Sequence, residues 1–442
     1  MYSLHFLLPI VGVLVASVNP VPALAASSPQ VLPLNPDSTF SFEVLRLLGH
    51  ARYGGSDVAE VLTAANGIAP GNFSSFSSAY HALADRVHGR ANGLDANRYP
   101  VSVRDDLFAA SNYYRAADFF LHGNWENPEI NSLWAQQTAS FNQALALLPI
   151  PGRRVTLKGD GFDIPAIFYA AGSSGSRDKT KRPTLIMGNG YDGSQEEMLH
   201  VSGFAALERG WNVITYEGPG QPTVRREQDL GFIVEWEKVV TPVVDYLSTL
   251  PEVDMSRVTL YGYSFGGWLA TRAAAFEPRI SAVVAIDGIY SPGEAFLSQL
   301  PPALKSLYQS GNRSAFDATV NAALRSDHTP TSLRWGVEQG LWSFKIRSSY
   351  DFLHKTANMT MEGLTDKIKV PVFVGAAENE VFFKGQPEKV KAALGDRATY
   401  FPFVAADGAG EHCQVGAAAW LNEVVFDWLG GVLGAGKEAG GY

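Results

Sequence analysis

The amino-acid sequence predicts an α/β fold: a doubly wound, mostly parallel sheet with a helical cap ahead of it. Three observations carry that reading. From Phe40 to about Leu148 the apolar residues recur at three- and four-residue spacing, and no convincing strand interrupts them. After Pro149-Ile-Pro151 the pattern changes to short β-branched runs alternating with helical stretches, the signature of parallel strands joined by crossover helices. Near the middle of that second half, Val258-Thr-Leu-Tyr-Gly-Tyr-Ser-Phe-Gly-Gly267 sets a serine at a strand-to-helix corner between two glycines. The 442 residues, 46% apolar and 18% charged, are ample for a large packed core.

In order along the chain, Leu4 to Val18 is almost wholly apolar, and Ala23-Leu-Ala25 follows Pro20 and Pro22. That order reads as a secretory signal peptide over residues 1–25, although no Lys or Arg precedes the apolar run. A Ser/Pro-rich lead-in opens the cap, assigned to 26–150. Its most hydrophobic helix contains Leu107-Phe-Ala-Ala-Ser-Asn-Tyr-Tyr-Arg-Ala-Ala-Asp-Phe-Phe-Leu121. The aromatic stripe there has two readings, core packing against the next domain or a substrate-binding face made by Tyr113, Tyr114 and Arg115.

The sheet domain is expected over 151–430, leaving 431–442 as a tail. Val155–Leu157 and Ile164–Tyr169 suggest a hairpin, and Thr184–Gly188 a buried strand followed by a helix from Gln195 to Glu208. Trp211–Tyr216 is the next strand, with a helix from Ile233 to Leu250. Strands at Ala282–Ile286, Val370–Val374 and Thr399–Phe403 and a helix from Ala417 to Trp428 complete the series. The stretch 292–365 is too long for a simple crossover and reads as a second, helical insertion.

An aliphatic hydroxyl is a poor nucleophile near neutral pH, so Ser264 needs a base within hydrogen-bond reach. Functional groups in such sheets gather at the carboxyl ends of strands. His412, in Gly408-Ala-Gly-Glu-His-Cys-Gln414 before the last helix, is the histidine so placed. The imidazole in turn needs a carboxylate to fix its tautomer. The loop after Val374 offers Glu378 and Glu380, and Glu380 is favoured because Val381-Phe-Phe383 should dock it. The oxyanion donors are expected from the amides of Phe265 and Tyr191, the latter in Gly188-Asn-Gly-Tyr-Asp-Gly193. That loop lacks the Gly-Lys-Ser/Thr ending of a phosphate cradle.

The net charge of −9 offers no basic stripe for nucleic acid, and the single cysteine, Cys413, excludes an intrachain disulfide and a cysteine-based zinc site. No metal or cofactor is expected. The expected partner is a small-molecule substrate, with no stable membrane span after signal cleavage and a homodimer left open. Sequons at Asn72, Asn312 and Asn358 would carry glycans in a secreted or endomembrane-lumen protein.

Taken together, Gly262-x-Ser-x-Gly266, the Gly188–Gly193 loop, Tyr216-Glu-Gly-Pro-Gly-Gln221, Glu378-Asn-Glu380 and Gly410-Glu-His-Cys-Gln414 resemble the α/β-hydrolases. The likeness is to the subgroup with an N-terminal helical cap, which contains 2,6-dihydroxypseudooxynicotine hydrolase and fungal polyketide-shortening hydrolases. Asn112-Tyr-Tyr-Arg115 is similar to that subgroup's cap. The resemblance implies a nucleophile at Ser264 and a base at His412, with Glu380 standing where the subgroup has Asp. It also implies cleavage of a carbon–carbon bond beside a ketone, or of an ester or lactone, in an aromatic or polyketide-like compound. Cyclisation or transesterification would use the same groups, and a non-catalytic binding protein on this fold is the rival from another class.

Overall fold

The computed structural model describes residues 31–172, 180–326 and 328–434. The segment read as a signal peptide lies outside the described residues, as does most of the tail.

The cap is helical, as its periodicity predicts. Helices α1 (Ser38–His50), α2 (Val58–Ala65), α3 (Phe73–Asn92), α4 (Pro100–Asp118) and α5 (Glu129–Ala146) follow one another through short loops. Their starts are written locally. Asp37 accepts from the amides of Thr39 and Phe40, Asn72 accepts from that of Ser75, and Pro100 opens α4 where its missing N–H costs nothing. Phe40, Phe73, Phe76 and Phe120 cluster between these helices with ring centroids 4.7–6.1 Å apart. Such pairs add about 0.5–1.5 kcal/mol each beyond area burial.

The sheet follows. An antiparallel hairpin, β1 (Arg153–Lys158) and β2 (Asp163–Tyr169), leads into β3 (Arg182–Gly188), α6 (Phe204–Glu208), β4 (Asn212–Tyr216), α7 (Pro222–Glu227) and α8 (Glu237–Ser248). Next come β5 (Val253–Tyr263), α9 (Gly266–Ala274) and β6 (Ala282–Ile286). The insertion holds α10 (Pro292–Gln299), α11 (Pro302–Gln309), α12 (Arg313–Leu324), α13 (Thr331–Ser343) and α14 (Ser349–Ala357). The chain then returns through β7 (Val372–Ala377), α15 (Gln386–Leu394), β8 (Ala398–Phe403) and α16 (Ala418–Leu433). The eight strands run in the order β1-β2-β4-β3-β5-β6-β7-β8, parallel from β4 onward. This is the α/β-hydrolase fold. Every residue of β4 and of β6 is buried, which is why β6 reads as an unbroken apolar run and not as alternation.

Several boundaries depart from the sequence reading: β5 begins at Val253 and not Val258, α8 at Glu237 and not Ile233, and three further departures have a local reason. The expected helix from Gln195 begins as a turn held by side chains and passes through a π-helical turn at Leu199–Gly203 before α6. There Gln195 N–H donates to Glu217 and Glu197 N–H to Ser194, contacts that periodicity cannot foresee. The short α7 went unread because Pro222 marks it as a turn as readily as a helix start. Helix α16 runs to Leu433, past the expected start of the tail at 431. Asn72, Asn312 and Asn358 are all exposed, and the first two cap α3 and α12 through their side-chain oxygens. Among the described residues no helix is long and apolar enough to cross a membrane.

At the crossing of β5 and α9, a Cβ on Gly262 would sit inside the carbonyl of Gly266. Gly262→Ala should therefore cost several kcal/mol and be seen as a large fall in urea midpoint or in soluble yield. Gly89→Ala, within α3 and facing open space, should leave the midpoint unchanged or raise it, by about 1 kcal/mol at most.

Candidate active site

Strand β5 delivers Ser264 to the corner before α9 with φ of 57°, a backbone conformation a non-glycine residue adopts only under local constraint. The crowding extends to the neighbouring loop, where a Cβ on Gly190 would stand 2.8 Å from the Phe265 nitrogen. This packing holds the Gly188–Gly193 loop directly against the serine. The amides of Tyr191 and Phe265 donate to no protein acceptor among the described residues, so both are available to an incoming oxygen.

His412 lies on the loop after β8, ahead of α16. Its Nε2 is 2.8 Å from Ser264 Oγ and its Nδ1 is 2.6 Å from Glu380 Oε2. Glu380 is buried, and its other oxygen accepts from the amides of Phe382 and Phe383 at 2.7 and 2.9 Å. Glu378 is exposed and turns away to accept from Ala405 N–H at 2.7 Å. Geometry thus separates two carboxylates that sequence spacing left as alternatives. The serine itself is half-buried, leaving its hydroxyl reachable from one side.

A second acid, which the sequence reading missed, also faces the histidine. Asp287 follows β6, is completely buried, and places Oδ2 3.0 Å from His412 Nδ1. Its signal was its position, an acid immediately beyond a buried parallel strand. Burial and the charge of Glu380 push Asp287 up to about 7. Burial also opposes ionisation of Glu380, but His412 and hydrogen bonds from Asp287 and the Phe383 amide prevail and hold it down to about 2. Burial alone would lower His412, yet its neighbours raise it well above the usual histidine value. Burial pushes the Cys413 thiol up to about 12, so it is neutral near pH 7. We therefore ascribe the raised histidine chiefly to Glu380.

Aromatic rings surround these groups. Phe382 and Phe383 stand 4.9 and 5.9 Å from the His412 ring, and Phe42 of α1 stands 6.3 Å away. Tyr191 packs on Phe296 and Trp335 of the insertion. Both helical blocks therefore contribute to the site, through Phe42 from the cap and through Phe296 and Trp335 from the insertion.

The expected substrate-binding role of Tyr113, Tyr114 and Arg115 is corrected by their positions. Tyr113 is fully buried, with its hydroxyl donating to Glu60 and accepting from Asp57 N–H. Tyr114 bonds Asp85 on α3 at 2.8 Å. Both rings are buried with their hydroxyls held by cap residues, because α4 is enclosed by its neighbours on almost every side. Arg115 joins a buried ion cluster instead. Arg46 of α1 clasps Glu197 at 2.6 and 2.7 Å and reaches Asp192 at 2.7 Å, while Arg115 contacts Glu43 at 3.3 Å. Burial opposes ionisation of Glu197, but Arg115 and Arg46 hold it well below the usual carboxylate range. Since Asp192 belongs to the Gly188–Gly193 loop, the cap grips that loop from one side. Helix α13 grips it from the other: Gln339 donates to the Tyr191 carbonyl at 3.0 Å, and Tyr191 donates to the Gly336 carbonyl at 2.7 Å.

A sheet of this order with a serine at the β5 corner and a histidine after β8 defines the α/β-hydrolase class. The chain belongs to the alpha/beta hydrolase family, which it matches over residues 186–424, more than half its length. It is 28% identical over 417 residues to the hydrolase LUC6 of Fusarium sp., covering 91% of this chain and 98% of that one. It is likewise 28% identical over 404 residues to the 20-hydroxy-prefusarin hydrolase FUS2 of Gibberella moniliformis, covering 88% and 95%. Among solved structures, 2,6-dihydroxy-pseudo-oxynicotine hydrolase superposes with a TM-score of 0.68 at 20% identity, covering 88% of this chain and 97% of that one. At that identity the likeness speaks to the fold, cap included.

Two substitutions test the cap's part. Arg46→Met leaves Glu197 and Asp192 without their clasp, and should cost about 3–5 kcal/mol in a urea melt. Tyr114→Ala should destabilise by a similar amount, as large-to-small changes in packed cores do. In the surviving folded fraction, KM for a small ester should match wild type.

Proposed function

We propose that this protein is a serine hydrolase acting on an aromatic or polyketide-like small molecule. The bond broken is a carbon–carbon bond beside a ketone, or an ester or lactone. The observation that carries the reading is the unbroken chain of hydrogen bonds from Ser264 Oγ through His412 to Glu380, at 2.8 and 2.6 Å. The aromatic surroundings suit a flat, apolar substrate. The name of the FUS2 relative, a hydrolase of 20-hydroxy-prefusarin, also points to a small molecule.

In this mechanism Ser264 Oγ attacks the substrate carbonyl while its proton passes to His412 Nε2. Glu380 holds the Nδ1 proton and stabilises the imidazolium that forms. The amides of Tyr191 and Phe265 receive the developing oxyanion, each contributing about 3 kcal/mol to lowering the barrier. Collapse expels an alkoxide or an enolate, which takes the proton from His412 and leaves an acyl-serine. Water then gives its proton to His412, attacks the acyl carbon, and releases a carboxylic acid and free Ser264. Carbon–carbon and ester cleavage differ only in the leaving group. An internal hydroxyl in place of water would give cyclisation by the same groups.

A fluorophosphonate probe should label the wild-type protein at Ser264, identified by peptide mass. Ser264→Ala should fold with an unchanged melting temperature and lose turnover by several orders of magnitude. Retention of more than about a tenth of wild-type turnover would sink the serine mechanism. Glu378→Gln should lower turnover by less than about threefold, since its carboxylate serves only the Ala405 turn.

A further inference from the structure

His412 Nδ1 has a single proton to donate but faces two carboxyl groups. Glu380 Oε2 is at 2.6 Å and Asp287 Oδ2 at 3.0 Å. The two acids reach the ring from different elements, Asp287 from the end of β6 and Glu380 from the loop after β7. Because both approach the same nitrogen, their buried carboxyl groups are close enough to set each other's charge. Two buried carboxylates in mutual contact cannot both ionise cheaply, so the pair keeps one proton between them.

Asp287 is also tied to the histidine's own loop. Its Oδ2 accepts from Cys413 N–H at 3.1 Å and its Oδ1 from Gln414 Nε2 at 3.4 Å. Cys413 and Gln414 both have positive φ, 55° and 54°, so this carboxyl braces a strained turn. A purely structural brace needs only an acceptor, and an asparagine would serve. What a brace does not need is a second oxygen at hydrogen-bond distance from Nδ1.

We propose that Asp287 is a second acid of the serine–histidine chain: a positioning residue that shares one proton with Glu380 and assumes the carboxylate role if Glu380 loses its charge. This rests on the serine-hydrolase reading above and deepens it. With Glu380 neutral, the repulsion that keeps Asp287 protonated disappears. Asp287 then ionises and accepts the Nδ1 proton from its present position. The groups facing Asp287 are Glu380, His412, Cys413 and the phenols of Tyr261 and Tyr400. Burial pushes the thiol and Tyr400 up to about 12 and Tyr261 higher still, so neither the thiol nor the phenols titrate near neutrality, where Asp287 does.

The sign of the pH effect follows. An acid whose value rises from 3.8 to about 7 on folding contributes stability that is full below 3.8 and is lost as pH rises through 7. Asp287→Asn removes that loss. The melting temperature of the variant relative to wild type should therefore climb between pH 5 and about pH 8.

The deciding experiment compares wild type, Asp287→Asn, Glu380→Gln and the double variant by the rate of fluorophosphonate labelling at Ser264 across that range. This rate reports His412 as base and needs no knowledge of the substrate. Asp287→Asn should slow labelling several-fold and flatten the rise in rate through neutral pH. Glu380→Gln should lose about 10- to 100-fold, well short of the roughly 10⁴-fold loss expected where a triad has a single acid. The double variant should lose at least tenfold more than the product of the two single effects.

A Glu380→Gln variant already as slow as the double, or a double equal to the product of the singles, overturns the inference while leaving the serine mechanism standing. A wild type that takes up no probe at Ser264 overturns both. If Asp287→Asn does not fold, Asp287→Ser takes its place, and the size of the Glu380→Gln loss decides the matter without either.

Discussion

Everything at this site depends on how closely β5, α9 and the loop after β3 approach one another. The serine hydroxyl stays reachable because the chain turns within a space where side chains at Gly262 and Gly190 would collide with backbone. That closeness has two chemical consequences. It sets the hydroxyl at a constrained corner within reach of His412, and it brings the loop carrying the Tyr191 amide against the Phe265 amide. Fixed donors are worth more than mobile ones, because their orientation is settled during folding and not during reaction. The positive φ of Ser264 is the local cost, offset by the surrounding core, in which β6 and the buried face of α9 leave the turn no room to relax.

The two helical blocks extend this rigidity. Neither sits on the sheet as a separate lid. Arg46 reaches from α1 into a buried carboxylate cluster that includes Asp192, while Gln339 and the Gly336 carbonyl hold Tyr191 from α13. The Gly188–Gly193 loop is gripped between cap and insertion. Buried ion pairs of this kind are seldom a net source of stability, because desolvation consumes much of the attraction. Their value here is geometric: Arg46 satisfies two oxygens of Glu197 and one of Asp192 with fixed directions.

Electrostatics at His412 follow from the same burial. Two carboxyl groups and an imidazole share a space without water, so the protons they hold are set by one another. Against its burial, Glu380 takes the negative charge chiefly because His412 stands beside it, with two backbone amides on its far oxygen adding to the preference for the ionised form. Glutamate suits this place because its loop is anchored by Phe382 and Phe383, whose rings also wall the histidine.

By itself the sequence determined the alternation of strands and helices, the helical cap, the serine corner and the histidine beyond the last strand. Each is a local pattern, fixed by spacing, glycine placement and β-branched runs. It narrowed the acid to two glutamates and favoured Glu380, but the choice itself is made by which carboxylate the docked loop buries against the histidine. It missed Asp287 because nothing local distinguishes a buried acid after β6 from a turn residue; only the approach of the His412 loop gives it a partner. It read Tyr113 and Tyr114 as candidates for the substrate pocket because a helix rich in aromatics has no label for its inner and outer faces. Their orientation was decided by α2 and α3, whose Asp and Glu side chains claim the two hydroxyls. Residues distant in sequence acquire meaning only when the fold removes water between them, and that removal is a property of the tertiary structure.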